Sequence, residues 1–292
     1  MAERKASRTA VLVCQGRAVA DGRLAVGRFS DPIAIELLTA PEREMVGTAR
    51  SGVMPSGFGA RLEYELLKGT SEILAARTVA IDDVVRDRGH PQLVILGAGL
   101  DARAWRMKEL AEATVYEIDQ PASQQEKRER LGDRAPLAAA VHFVPVDFAK
   151  DSLGTALEAA GHDATIPTTW IWEGVIPYLT PAQVAATTAV VGEHSAAGSR
   201  LILNYATTSR LNAFGRRAVQ RLLTLAGRDN PMANEPFRSA WSPETLRELL
   251  SRSGFDVTVD VGLLAVAHDL DMSIIERTRF LGSGRIAVAD RD

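Results

Sequence analysis

The chain has 292 residues, and 34 lysines plus arginines against 37 aspartates plus glutamates leave a formal net charge of −3. That near-neutral balance argues against a general nucleic-acid binder, which carries a strong basic excess, and 23 glycines with 13 prolines exclude collagen-like repeats. A single cysteine excludes an intramolecular disulfide or a thiolate zinc cluster, and no metal site is expected.

The charged N-terminus leads into no apolar signal core, and no stretch of about 18 apolar residues occurs anywhere. The expectation is a cytoplasmic protein with no export signal and no membrane span. Ser7 to Ala20 is apolar at helical spacing and ends at Asp21-Gly22. Within it, Cys14 reads as a small buried hydrophobe rather than a nucleophile. Asp31-Pro32 opens a short helix through Leu38 that Pro41 closes, and Ser51 to Gly57 reads as a loop. From Ser71 to Arg86 a helix presents Ile73, Ala80, Ile81 and Val84 on one side. Arg77 falls on the same stripe, midway between Ile73 and Ile81. There it must find an anion or snorkel to water, because an unpaired buried charge is costly.

After Gly89-His90-Pro91 the pattern changes. Apolar, β-branched runs occur at Gln92–Leu96, Thr114–Ile118, Val141–Val146, Thr168–Trp172, Arg200–Tyr205, Asp256–Val261 and Arg285–Val288. Helical segments lie between most of them, at Ala102–Leu110, Pro121–Leu131, Ser152–Ala160, Pro181–His194 and Pro243–Ser253. Pro121, Pro181 and Pro243 suit a first helical turn, where a missing N–H costs nothing. The alternation predicts an α/β fold: a doubly wound, mostly parallel seven-stranded sheet with helices on both faces. Residues 1–90 form a helical cover, and residues 91–292 form the sheet domain with a lid loop near 227–240.

The chemistry-bearing residues end the strands. Gly97-Ala98-Gly99 follows the first strand and opens a helix, so the backbone can turn tightly and let a ligand approach. Asp119 ends the second strand, where a carboxylate can accept both ribose hydroxyls of an adenosine or simply cap the next helix. The third strand runs into Asp147 and Phe148, an acceptor for an adenine amino group with an aromatic or backbone contact beside it. The fourth runs into Glu173, placed to hold an ammonium group at the crevice of a doubly wound sheet. Arg77 supplies a fork suited to a ligand carboxylate, or a salt bridge to one of these acids. S-adenosylmethionine and a nicotinamide dinucleotide both fit the first two strands. The motif's position behind a helical N-terminal region, and the ends of strands three and four, weaken the nicotinamide case.

Four segments carry a resemblance to a known family: Val94-Ile-Leu-Gly-Ala-Gly-Leu-Asp-Ala-Arg-Ala-Trp-Arg106, Tyr116-Glu-Ile-Asp119, Val146-Asp-Phe148, and Trp172-Glu-Gly-Val-Ile-Pro-Tyr-Leu-Thr-Pro181. Together they resemble the leucine carboxyl methyltransferase family, which includes polyketide carboxyl O-methyltransferases. The likeness extends from Ser7 through Arg77 to Trp241, nearly the whole chain. It implies a Rossmann-like class I methyltransferase fold with S-adenosyl-L-methionine as cofactor. It further implies that Arg77 holds the cofactor carboxylate, Gly97 and Gly99 its backbone approach, Asp119 the ribose, Asp147 and Phe148 the adenine, and Glu173 the methionine part. Phe148 stands where leucine is usual, and Ala102 where a small hydroxyl residue is common. The partner expected is a small-molecule methyl acceptor, a carboxylate or a hydroxyl. Tyr178 is a candidate for orienting it or for packing under a lid, and Arg238 and Trp241 read as a second acceptor-facing pair, with Trp241 before Ser242-Pro243 alternatively a hydrophobic staple for the next helix. None of the five histidines sits in an assignable motif, so no catalytic base is named. A nicotinamide-dependent oxidoreductase and a non-catalytic relative that keeps the cleft are the alternatives.

Overall fold

The computed structural model describes residues 7–148, 150–207, 236–272 and 284–292. Helices α1 (Arg8–Ala20), α2 (Ala40–Ser51) and α3 (Phe58–Arg88) precede strand β1 (Gln92–Leu96). The chain then runs through α4 (Arg103–Arg106), β2 (Thr114–Asp119), α5 (Pro121–Leu131), β3 (Ala140–Pro145), α6 (Leu153–Ala159), β4 (Thr168–Trp172) and α7 (Pro181–Glu193). The last described elements are β5 (Arg200–Ala206), α8 (Pro243–Arg252), β6 (Asp256–Gly262), α9 (Leu263–Asp269) and β7 (Gly284–Asp290). Among the described residues no helix is long and apolar enough to cross a membrane.

The seven strands form one sheet in the order β3-β2-β1-β4-β5-β7-β6. Strands β1 to β5 are parallel, and β7 runs antiparallel to both β5 and β6. Side chains alternate across it, so Leu93 and Ile95 join one apolar layer while Val94 and Leu96 join the other. The first layer is continuous with Cys14 and Ala18 of α1 and Ile73 and Ile81 of α3. The second holds Trp170, Trp172 and Leu203 against Leu157, Val191 and Leu250 of the helices on the far side. Both faces are covered, which is why the central strands read as unbroken apolar runs. Chain order reverses between β1 and β4, and the crevice at such a switch point is where open α/β sheets bind ligands.

Four sequence expectations need correction. Asp31 to Leu38 makes successive turns, not a helix, because Asp31 caps only one turn through Ala34 N–H (3.1 Å) and otherwise pairs with Arg17. Pro41 opens α2 rather than closing a helix. Thr39 and Glu42 form a reciprocal capping box there, and proline is tolerated in the first turn. The helix bearing Arg77 begins at Phe58, not Ser71; Gly69 and Thr70, weak helix formers, lie inside it rather than before it. Ala102–Leu110 breaks at Met107, whose extended ψ of 106° separates the four residues of α4 from a 3-10 turn at Lys108–Leu110. Cys14 is fully buried, its thiol donates to Ala34 O at 3.2 Å, and burial pushes its pKa up to about 11.

Candidate cofactor site

Register brings three of the sequence candidates into one row. Leu96 pairs with Ile118 and Ile95 with Ile171, so Gly97, Asp119 and Glu173 all leave the sheet at the carboxyl ends of adjacent strands. Gly97 has φ +72°, and a Cβ there would lie 2.3 Å from Val175 Cγ2, so only glycine fits the turn. Gly99, at φ +49°, passes close to Ala10 of α1, so the N-terminal helix reaches the glycine loop.

Asp119 is braced by backbone. Gly99 N–H donates to Oδ2 at 2.6 Å and Gln120 N–H to Oδ1 at 2.7 Å. Each oxygen keeps a further lone pair, enough to accept two hydroxyls. Burial raises the Asp119 pKa, and these two amides only partly offset it. On the next strand Val146 N–H bonds Asp119 O at 2.9 Å, which sets Asp147 and Phe148 just beyond the rim. Lys150 Nζ lies 2.7 Å from Asp147 Oδ2, and Phe148 packs partly against the second apolar layer.

Glu173 and Arg77 meet directly, with Nε to Oε1 at 2.7 Å, an ion pair whose two side chains are 11% and 8% exposed. The salt bridge weighed from sequence therefore exists. Only Nε is engaged, however. The outer edge of the guanidinium has a single long contact among the described residues, Nη1 to Asn204 Oδ1 at 3.5 Å. A guanidinium edge that donates, beside a carboxylate that accepts, matches the carboxylate and ammonium of a zwitterionic amino acid, and a carboxylate held by amides suits a diol. The residues present thus fit the two ends of S-adenosylmethionine.

Sequence reasoning missed what stands behind this pair. Arg103 Nη1 binds Glu173 Oε2 at 2.9 Å and also Asp101 Oδ2, while its Nε binds Asp82 Oδ1 at 2.7 Å. Asp82 is shared with Arg106 (2.6 Å), and Arg106 and Arg17 both flank the fully buried Asp31, at 3.5 and 3.1 Å. The chain of contacts runs Arg17–Asp31–Arg106–Asp82–Arg103–Glu173–Arg77, with Asp101 joined at Arg103. Formal charges balance, four guanidiniums against four carboxylates. Burial would raise Glu173, but Arg77 and Arg103 outweigh it and hold the carboxyl below its ordinary value. Asp101 and Asp82 are lowered in the same way, against burial, by Arg103 with Arg17 and by Arg106 with Arg103 respectively. The one available signal was that Asp101, Arg103 and Arg106 lie together in the segment after the glycine loop.

Tyr178 ends a 3-10 turn after Glu173, and its ring meets Phe237 edge-on at 5.5 Å. Arg238 N–H bonds Pro177 O (2.7 Å), and Trp241 N–H bonds Ala206 O (2.9 Å), so residues 236–241 lie across the ends of β4 and β5. Of the lid segment expected near 227–240, residues 227–235 fall outside the described residues. The five histidines are all described, and four of them lie away from the β1–β4 crevice. His90 and His162 contact Thr169 and Thr168 at the opposite end of β4, and His194 lies beside His162. His142 stacks on Tyr116 in mid-sheet, and His268 is almost wholly exposed on α9. A hollow of about 210 Å³ between Trp105, Arg128 and Phe143 opens beside the start of β3, away from the rim acids.

Sheet order and the row of strand-end acids define a doubly wound α/β fold with its ligand crevice at the β1–β4 switch point. The solved structure of a DUF574 family protein from Streptomyces avermitilis superposes with a TM-score of 0.59 at 14% identity, covering 98% of both chains. A structure from Thermobifida fusca, provisionally titled a methyltransferase, scores 0.57, with 99% of this chain and 96% of that one. A Mycobacterium tuberculosis protein provisionally named an S-adenosyl-L-methionine-dependent methyltransferase is 31% identical over 270 residues, 85% of each chain. One of the same name from Streptomyces coelicolor is 38% identical over 150 residues, 50% of this chain and 53% of that one. The leucine carboxyl methyltransferase profile matches residues 10–192, and the chain belongs to that family. It is an S-adenosylmethionine-dependent methyltransferase, which decides between the two cofactors the glycine loop left open.

Proposed function

We propose that the enzyme transfers the methyl group to an oxygen of a small molecule, a carboxylate or a hydroxyl, with the carboxylate favoured. The observation that carries this reading is the position of the histidines: His90, His142, His162 and His194 lie away from the β1–β4 crevice, and His268 is almost wholly exposed on α9. A phenol or alcohol acceptor calls for a general base, most often histidine. A carboxylate is already ionised at neutral pH, and orientation with exclusion of water suffices. When bound, S-adenosylmethionine supplies an electrophilic sulfonium methyl.

In this reading Asp119 accepts the ribose hydroxyls, and Asp147, with Phe148 beside it, reads the adenine. Gly97 and Gly99 allow close backbone approach. Arg77 takes the carboxylate through its outer edge, and Glu173 takes the ammonium. The helical cover of residues 7–90, residues 236–241 and Tyr178 form the acceptor side of the sheet domain that begins at residue 91. The near-neutral charge suits a small acceptor rather than a nucleic acid.

The test supplies methyl-labelled S-adenosylmethionine with matched panels of carboxylic acids and phenols. Carboxyl methylation gives label that alkali releases as methanol. Alkali-stable label on phenols alone would overturn the carboxylate preference, and label on nitrogen would overturn oxygen transfer.

A further inference from the structure

We propose that Arg103, which sits behind the rim rather than on it, is a positioning residue for the amino-acid end of the cofactor. It fixes the Glu173 carboxylate from behind so that Arg77 is left free to turn its outer edge to a ligand. This rests on the roles given above to Arg77 and Glu173.

Three observations carry it. First, the two arginines divide one carboxylate, Arg77 Nε on Oε1 (2.7 Å) and Arg103 Nη1 on Oε2 (2.9 Å). Without Arg103, Arg77 would have to both orient Glu173 and bind the ligand with a single fork. Second, Arg103 is itself tied to two other elements, to Asp82 on α3 and to Asp101 in the glycine loop, where its backbone N–H also bonds Asp101 Oδ1 at 2.7 Å. It therefore references Glu173 to the two segments that carry Arg77 and Gly97. Third, Arg103 is fully buried, and its side-chain contacts among the described residues are all carboxylates, Asp82, Asp101 and Glu173, so its place is set by the acids it aligns.

Glu173 faces Arg77 from α3, Arg103 from α4, Asp101 from the glycine loop and Arg17 from α1. Removing Arg103 deletes one of the two contacting cations and leaves Asp101 less compensated. Glu173 then takes up a proton at a higher pH and loses its hold on an ammonium group.

The experiment is calorimetric titration of S-adenosylhomocysteine into the full-length protein between pH 5 and 8, with thermal melting in parallel. Unaltered protein should bind with affinity nearly constant over that range. Arg103→Gln should bind about tenfold more weakly at pH 7.5, the size of a coupling between directly bonded charges, and weaken further toward the acid end of the range. Arg103→Lys keeps the charge but cannot bridge three acids, so it should lose affinity without acquiring the pH dependence. It also decides the matter if Arg103→Gln does not fold. In a Glu173→Gln background, Arg103→Lys should cost no more than about twofold, because the residue it acts through is already neutral. Unchanged affinity in Arg103→Lys, or a loss that persists in full with Glu173→Gln, overturns the proposal. Absence of binding by the unaltered protein overturns the cofactor reading on which it rests.

Discussion

Gly99 donates its backbone N–H to Asp119 Oδ2 across 20 residues of chain, at 2.6 Å, which makes the glycine loop and the strand-end acid one unit. The loop's turn after β1 aims that amide, and β1–β2 pairing fixes where the carboxylate stands. An acid that only capped α5 would need the Gln120 end of this arrangement and not the Gly99 end.

Asp119→Ala should weaken S-adenosylmethionine binding by about 1–3 kcal/mol, the usual cost of losing charged hydrogen bonds. Calorimetry checks this, and unchanged affinity would remove Asp119 from the site.

Arg77 and Glu173 separate stability from binding. Arg77→Met leaves a buried carboxylate with Arg103 alone and should destabilise the fold, toward or below the roughly 3–5 kcal/mol seen when a buried pair is broken. Adding Glu173→Gln should recover much of the stability but none of the cofactor affinity. Recovery of both would mean that the pair is a structural salt bridge only.

Lys127 and Glu117 form a buried pair at 2.5 Å beneath the rim, each 1% exposed, with Lys127 also 5.0 Å from the Trp105 ring centre. Burial pushes Glu117 up to about 7, and Lys127 offsets this only in part. Because the folded-state value lies above the unfolded one, the contribution is fully present below about 4.5 and is lost as pH rises through about 7. Lys127→Met should deepen that loss, costing about 3–5 kcal/mol at pH 8 and far less at pH 5. Urea unfolding at the two pH values measures it, and a pH-independent loss would contradict the assignment.

His162 acts with the opposite sign. Burial, with His194 nearby, lowers its pKa to about 4, and its Nδ1 has no hydrogen-bond partner. Here the folded-state value lies below the ordinary 6.5, so its contribution is present above about 6.5 and is lost as pH falls toward 4. His162→Gln should flatten that acid limb of the unfolding midpoint, while an unaltered limb would assign it to other groups.

All seven strands were legible in the sequence to within about two residues, because a sheet covered on both faces leaves apolar, β-branched runs that no helix imitates at that length. The strand-end acids were legible for a related reason: a residue that ends a parallel strand has its position fixed by the strand. Pro41 misled because the same residue can close one segment or open the next, and only the Thr39–Glu42 box distinguishes the two. Of the ion chain from Arg17 to Arg77, only the pairing of Arg77 with a strand-end acid was legible. The contacts of that ion chain join residues up to 96 positions apart, and charge carries no periodicity that names a partner. Arg103 looked like one arginine among many until Asp82, Asp101 and Glu173 were seen around it.

Methyl transfer from S-adenosylmethionine to the oxygen of a small acid is measured by the alkali-labile label formed on a panel of carboxylic acids. The expected label is released as methanol, is saturable in cofactor, and falls with Asp119→Ala and Arg77→Met. Saturable cofactor binding with no label on any acid or phenol would contradict it and mark the chain as a relative that keeps the cleft without turnover.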